Sequence, residues 1–235
     1  MAEKKFTPMM QHYLKMKEEN PDSILFYRLG DFYEMFFEDA KLVSQELDLV
    51  LTGRSAGVEE KVPMCGIPFH AANSYIQRLV KKGYKVAICE QLEDPSSAKG
   101  LVDRGIIKII TPGTYMDATM DAKSTNYMAS CDVSSFEITV IYCELSTGEL
   151  KYQTLQRSLV ALQKALLEQN VSELVCPMTM DKKWMAALEE MDTMLISKHK
   201  KANIDSEDLP LLNGIESESL KEAFALLMAY LKDTQ

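Results

Sequence analysis

The sequence is poor in histidine and has no long hydrophobic run. In its 235 residues the apolar stretches fall far short of the roughly 20 residues that a membrane-spanning helix needs. The first residues contain no apolar segment of the kind that a secretory signal requires. The three histidines, His12, His70 and His199, offer no metal-ligand spacing. We therefore expect neither a membrane span nor a bound metal.

Cysteine is also scarce and scattered. The five cysteines are odd in number and widely spaced, which argues against a disulfide framework. Most of them lie inside strand-like apolar runs, at positions 65, 89, 131, 143 and 176. That pattern is typical of reduced thiols in the core of a cytosolic protein, so we expect a cytoplasmic location. With 46% hydrophobic and 26% charged residues, the chain can build one or two cores.

Positive charge is unevenly distributed. Residues 1–115 hold 15 Lys and Arg against 16 Asp and Glu, a net charge of −1. Residues 116–235 hold 11 against 19, a net charge of −8, and the two halves add up to the −9 of the whole chain. Only the first half could approach DNA without strong overall repulsion.

The residue patterns of the first half predict a compact α/β domain. Helix signals, with Pro8 and Gly83 at two of the boundaries, predict helices over about 8–19, 33–47 and 71–82. β-prone runs predict strands over 24–29, 49–51, 85–90 and 106–110. Residues 52–57 are expected to be irregular. The two prolines in 62–68 indicate an edge strand or a loop.

The second half predicts another α/β layer with a mixed sheet. Residues 126–131, 136–144 and 149–155 are expected to form an antiparallel meander, followed by helices over 158–168 and 181–191 that alternate with strands over 172–176 and 193–197. Ser219 with Glu222 three positions later predicts a capping box at the start of the last helix. The polar residues 116–124 are the expected linker between the two domains.

The segment Gly30–Glu34 is the most informative local feature. It places an aromatic ring, Phe32, two positions from a carboxylate, Glu34, where the strand over 24–29 ends and a helix is expected to begin. An exposed Phe beside a Glu suits a wedge, an apolar ring that inserts between stacked groups, with a carboxylate next to it that can accept hydrogen bonds. The alternative is that Phe32 is a core ring beside Tyr33 and Phe36, with Glu34 solvated on a helix.

Two enzymatic interpretations find little support. The segment Gly100–Gly105 has the first spacing of a P-loop but lacks the following Lys and Ser or Thr, so we expect no nucleotide site. A metal-dependent nuclease in the second half needs converging carboxylates, and Asp132 and Glu144 are the only plausible pair. Carboxylates at turns are common, so we expect a structural role for both.

Several motifs together resemble the N-terminal part of the MutS family of DNA mismatch-repair proteins. The resemblance is dense over 7–115 and weaker beyond 125. The stretches that carry it are Thr7–Gln11, Phe26–Glu34, Pro63–Ala71, Val86–Gln91, Ile110–Thr114, Leu145–Gly148 and Tyr230–Gln235.

The resemblance implies two domains of α/β class. Residues 1–115 would be a mixed-sheet mismatch-recognition domain, 116–124 the linker, and 125–235 a connector domain with an RNase H-like fold that ends where a lever region begins. The chain would then be a piece of a longer protein, without its ATPase and not itself an enzyme. ATP and Mg²⁺ would be cofactors of the full-length protein, and this piece would hold no cofactor and no catalytic residue.

The resemblance also implies a function and its residues. Phe32 and Glu34 would meet the mismatched base, or a small insertion or deletion loop, from the minor groove. Further candidates for contacts to the DNA backbone or the minor groove are Asp31, Arg28, Arg54, Met64, Gly66 and Pro68.

The partners that the resemblance implies are mismatched double-stranded DNA and, through the connector domain, a MutL-type repair protein. The full-length protein would be a homodimer, with a monomeric state left open for this piece. A relative that handles recombination intermediates is the alternative among binding proteins, although such branches lack the wedge motif or the whole first domain.

Overall fold

A computed structural model describes residues 6–93, 102–116, 126–201 and 203–235. The chain divides into two compact units between Thr111 and Pro112. Unit 1 comprises the described residues up to Thr111, and unit 2 comprises those from Pro112 to Thr234. Of the predicted linker, 116–124, only Met116 is among the described residues, and the first two residues of the P-loop-like segment also lie outside them.

Unit 1 is an α/β unit with one mixed six-stranded sheet. Its helices are α1 (Pro8–Glu19), α2 (Phe37–Leu47) and α3 (Ala72–Val80), with a short 3-10 helix at Phe69–Ala71. Its strands are β1 (Ser23–Leu29), β2 (Phe32–Phe36), β3 (Thr52–Arg54), β4 (Val62–Pro68), β5 (Lys85–Gln91) and β6 (Arg104–Ile110). The strand order is β3-β4-β2-β1-β5-β6, and only β1 and β5 are parallel.

Three predictions for unit 1 need correction. The helix predicted over 33–47 begins only at Phe37, because the residues before it form β2. In β2 the buried Tyr33 and Met35 alternate with Phe32 and Glu34, which is the two-residue period of a strand. The strand predicted at 49–51 lies at Thr52–Arg54, where an irregular segment is expected. That short strand pairs with β4, so Val62–Pro68 is not an edge strand along its first residues.

The end of β2 is fixed by buried polar contacts with α1. The backbone N–H of Phe36 donates to the Tyr13 hydroxyl at 3.2 Å, and that hydroxyl donates to Asp39 at 3.3 Å. Burial, with the Asp39 carboxylate beside it, raises the pKa of Tyr13. Asp39 also accepts from the N–H of Leu25 at 2.9 Å. These hydrogen bonds therefore fix β1, β2, α1 and α2 relative to one another at the base of the β1–β2 hairpin.

Unit 2 is an α/β unit with a five-stranded mixed sheet. Its strands are β7 (Tyr127–Val133), β8 (Glu137–Glu144), β9 (Glu149–Gln156), β10 (Val171–Pro177) and β11 (Leu195–His199). Its helices are α4 (Leu159–Glu168), α5 (Lys182–Glu189) and α6 (Glu218–Thr234), with a short 3-10 helix at Leu209–Leu212. The order is β11-β10-β7-β8-β9, in which β7, β8 and β9 form the predicted meander and β10 and β11 run parallel to β7.

Helices cover both faces of the unit 2 sheet. Leu162 and Leu166 of α4, with Leu188 of α5, pack in one core cluster against β7, β8 and β10. Phe224 and Leu227 of α6 pack in a second cluster on the opposite face. Along the described part of the chain, no helix combines the length and the apolar character needed to cross a bilayer.

The cap of α6 differs from the prediction. Ser217, not Ser219, accepts from a helix N–H, that of Leu220 at 3.3 Å. Ser219 instead donates to Asp132 at 2.8 Å, and Glu222 pairs with Lys201 at 3.0 Å. The two residues that match the capping-box pattern are thus engaged in tertiary contacts, which local spacing cannot reveal.

A buried carboxylate anchors the first residues of unit 2. Glu173, on β10, is fully buried and accepts from the N–H of Gly113 at 3.0 Å and from the hydroxyls of Ser197 and Tyr230, both at 2.5 Å. A Cβ on Gly113 would lie 2.7 Å from Met128 Cε and 2.9 Å from the Glu173 carboxylate. Only glycine fits this close approach without a rearrangement.

All five cysteines are buried and carry free thiols, in agreement with the prediction of core cysteines. Burial raises the pKa of Cys65 and of Cys89 to about 12. Reactive thiols have a lowered pKa, so these side chains serve packing.

Candidate nucleic-acid interface

The β1–β2 hairpin presents Phe32 at its tip. Its two strands are antiparallel, and the closing pair, Leu29 and Phe32, leaves a two-residue turn at Gly30 and Asp31. Gly30 has φ +58°, the positive value that a Gly-first hairpin turn requires. Phe32 follows immediately and is 46% exposed, whereas Tyr33 and Phe36 of the same strand are buried. A large apolar ring therefore stands at the end of the hairpin.

Phe32 and Glu34 lie on the same face of β2, because residues two apart on a strand point the same way. Three residues of β4 are paired directly with this face, with Pro68 opposite Phe32, Gly66 opposite Glu34 and Met64 opposite Phe36. Directly paired residues share a face, so five of the predicted site residues are brought together here.

Gly66 makes room for the Glu34 side chain. A Cβ at this position would lie 3.3 Å from the carbonyl oxygen of Tyr33 and 3.5 Å from Glu34 Cγ. The first of these contacts is with backbone, which cannot move aside like the end of a side chain. The glycine thus leaves room for the Glu34 side chain against β4.

Arg54 joins this face from β3. Its guanidinium donates to the Glu34 carboxylate in an ion pair and lies 5.9 Å from the centroid of the Phe36 ring. The side chains of Arg54 and Glu34 are 36% and 15% exposed, respectively. Lys61, a cation between β3 and β4, is exposed, and its Cβ would lie 3.0 Å from a Cβ at Gly53. Nη1 of Arg54 is thus engaged with Glu34 in the free protein.

Arg28 does not belong to this face. It pairs with Tyr33 across the hairpin and therefore points to the opposite side from Phe32. Its guanidinium lies 3.6 Å from the centroid of the Phe69 ring and 3.3 Å from Glu90, and its Nε donates to the carbonyl of Gly30 at 2.5 Å. The structure thus gives Arg28 a role in holding the turn, whereas the sequence interpretation made it a candidate for contacting DNA.

Further contacts complete this support of the hairpin tip. The carbonyl of Asp31, itself exposed, accepts from the N–H of Phe69 at 2.9 Å. The Tyr33 hydroxyl donates to Glu90, and burial together with this carboxylate raises the pKa of Tyr33. Sequence reasoning missed Phe69 and Glu90, because Glu90 lies 62 positions from Arg28 and only the β1–β5 pairing brings the two together.

The two candidate nuclease carboxylates are far apart. Glu144 is paired with Tyr127 at one end of the β7–β8 ladder, and Asp132 lies five residues further along β7. At about 3.3 Å per residue their backbones are roughly 17 Å apart, too far to share a metal ion. Asp132 accepts from Lys201 at 2.9 Å, in addition to Ser219. Hydrogen bonds from Thr147, above all, lower the pKa of Glu144.

One acidic cluster stands out among the described residues. Carboxylate oxygens of Asp205, Glu207 and Asp208 lie within 4.8 Å of one another. The Lys232 ammonium contacts all three, at 2.5, 3.3 and 2.7 Å. The positive charge that balances these three carboxylates is therefore supplied by the Lys232 side chain of α6.

Comparison with known proteins relates the chain to one family. The family described as MutS domain I matches residues 7–119. Similar proteins include the DNA mismatch repair protein MutS of Clostridium tetani, 44% identical over 98% of this chain and 27% of its own length. The protein of that name from Bacillus licheniformis is 45% identical over 98% of this chain and 26% of its own length. The protein of that name from Clostridium botulinum strain Loch Maree is 54% identical over 71% of this chain and 19% of its own length. The chain thus spans about a quarter of the length of the first two curated relatives.

Proposed function

The chain belongs to the MutS family, and on that basis we propose that it recognises mismatched DNA, with the β1–β2 hairpin as the reading element. The names of its relatives place those proteins in DNA mismatch repair. Small insertion and deletion loops, which also interrupt regular stacking, are the other lesions it would read.

The physical basis is the softness of a mispaired step. An intact base step costs a few kcal/mol to unstack, and a mismatched base costs less. Phe32 would enter from the minor groove and replace the lost stacking, which is worth about 1–3 kcal/mol per base. The duplex would kink at its weakest step, so that detection depends on deformability and not on base identity.

The observation that carries this proposal is the placement of Phe32 relative to Glu34. The ring is exposed at the tip, and the carboxylate lies on the same strand face two residues behind it. A base stacked on the ring would present its edge towards Glu34, which can hydrogen-bond to it. Asp31, Met64, Gly66 and Pro68 surround this position and would line the groove contact.

Unit 2 would serve as the connector. Its meander of three antiparallel strands continues into two parallel strands, with helices on both faces, and this arrangement supports an RNase H-like assignment. The separation of Asp132 from Glu144 favours a binding role over nuclease chemistry. Since residues 116–235 carry a net charge of −8, this half would face a protein, a MutL-type repair partner, and not DNA.

The chain would work within a longer protein, because its relatives are about four times its length. In that protein, a homodimer acting in the bacterial cytoplasm, ATP and Mg²⁺ bound elsewhere would convert mismatch capture into a signal to repair factors. This chain would contribute no catalytic residue.

The test compares binding of the full protein to a duplex with one G·T mismatch and to the matched duplex, at one salt concentration. Phe32→Ala is expected to weaken binding to the mismatch by about 5- to 150-fold, the equivalent of the lost stacking, and to leave the matched duplex nearly unaffected. Phe136→Ala removes a ring that is 89% exposed in unit 2 and should retain the preference. An unchanged preference in Phe32→Ala would refute the proposal.

A further inference from the structure

The two side chains assigned separate tasks at the DNA interface are bound to each other. Glu34 would read the base edge, and Arg54 is a candidate for contacting the DNA backbone. In the structure the guanidinium of Arg54 donates to the carboxylate of Glu34. While this ion pair is closed, Nη1 of Arg54 and Oε2 of Glu34 are engaged with each other and not with DNA.

We propose that the Glu34–Arg54 ion pair is a latch that a DNA phosphate opens. The phosphate replaces Glu34 as the partner of Arg54, and Glu34 is thereby released towards the base beside Phe32. Arg54 is thus a positioning residue for the reading carboxylate, and this inference depends on the proposed function.

The chemistry of the pair favours such an exchange. Arg54 contacts Glu34 through one nitrogen, Nη1, whereas the planar fork of a guanidinium can donate two parallel hydrogen bonds to a phosphate. A phosphate therefore offers Arg54 a fuller contact than Glu34 does. Arg54 is the more exposed partner, at 36% against 15% for Glu34, so an incoming phosphate meets the arginine first. An ion pair with an exposed arginine contributes little stability, about 1 kcal/mol or less. A new charge-assisted contact between Arg54 and a phosphate can therefore replace it.

The strand register explains why the latch acts on the reading position. Arg54 is paired with Val62 and Glu34 with Gly66, four positions apart on the same face of β4. The guanidinium reaches the carboxylate along this face, with the centroid of the Phe36 ring 5.9 Å away. The missing side chain at Gly66 leaves room for Glu34, whose Cγ would lie 3.5 Å from a Cβ at that position. Binding of a DNA phosphate by Arg54 on β3 is thus linked to release of the Glu34 carboxylate on β2.

The latch is tested by two double-substitution cycles on wild type, Glu34→Gln, Arg54→Gln and the double variant. The first cycle measures stability of unit 1 in the free protein, by hydrogen exchange of the amides in β2 and β4. The second measures affinity for the G·T duplex. Because the pair is present in the free protein and absent from the complex, the two coupling free energies must be equal in size and opposite in sign.

In binding, the latch predicts that Glu34→Gln frees Arg54 and that Arg54→Gln therefore costs about 2- to 5-fold more in the Glu34→Gln background than in wild type. Arg54→Gln should also reduce the slope of log affinity against log salt by about one, since one phosphate contact is lost. Arg54→Lys keeps the charge and should restore most of both effects. Arg78→Gln, at an exposed arginine of α3, is the control and should show no coupling with position 34.

Additive effects of the two substitutions on DNA affinity, alongside coupling in the free protein, would mean that the pair stays closed on DNA and would overturn the latch. Absence of coupling in the free protein would overturn it as well. A protein that binds DNA with these couplings but without mismatch preference would refute the proposed function and leave the latch standing as a backbone-binding device. Failure to bind either duplex would refute both.

Discussion

Truncating Phe32 to alanine should cost little stability, although it removes a whole aromatic ring. Full burial of a Phe side chain is worth about 1.5–3 kcal/mol. Since Phe32 is 46% exposed, about half of that value, roughly 0.8–1.5 kcal/mol, is expected for Phe32→Ala. Phe36 lies on the same strand and the same face but is fully buried, and Phe36→Ala should cost about 3–5 kcal/mol.

Hydrogen exchange of the unit 1 amides measures both losses in the region concerned. The single tryptophan, Trp184, lies on α5 of unit 2, so its fluorescence during urea unfolding follows the other unit and should be the same in both variants. If Phe32→Ala destabilised unit 1 as much as Phe36→Ala, the ring would be a core residue. The wedge interpretation would then lose its structural basis.

Two further predictions concern the cores. Gly113→Ala should destabilise unit 2 by about 1–3 kcal/mol in urea unfolding, because the new Cβ would overlap Met128 and the buried Glu173 carboxylate. As the control, Gly105→Ala meets the end of the exposed Leu92 side chain and should be nearly neutral. Equal losses of stability in the two variants would contradict the close approach at Gly113. The pKa of Cys65 and of Cys89 is raised to about 12 from 9.0, so the unfolded chain releases these protons first and the free energy of unfolding should fall as pH rises from about 9 to 12. Replacing both thiols by Ala should flatten this decline in urea titrations, and an unchanged decline would exclude them as its cause.

Most elements could be predicted from residue patterns because their signals are local. The meander and the alternating strands and helices of unit 2 follow from apolar runs and turn residues, and the structure has them within a few positions. The helix predicted over 33–47 was wrong at its start. The sequence did contain the correct signal, since Gly30 and Asp31 separate two apolar runs by two residues, the spacing of a hairpin that begins with glycine.

The composition of the site was only partly predictable. Phe32 and Glu34 are predicted as site residues from their spacing and from the resemblance to a family. The ion pair between Glu34 and Arg54 depends on the register of β2, β4 and β3 together, and residues 20 positions apart carry no local sign of it. The position of Arg28 could not be predicted, because its side of the strand is fixed only by its pairing with Tyr33.

The central claim is that the ring of Phe32 contacts the mismatched base. It is tested most directly by replacing the thymine of a G·T mismatch with 5-iodouracil, irradiating the complex with the full protein, and locating the adduct by mass spectrometry. We predict that the adduct forms on Phe32 and that the matched duplex with the same base gives far less of it. Adducts confined to other residues, in a protein that still prefers the mismatch, would contradict this account.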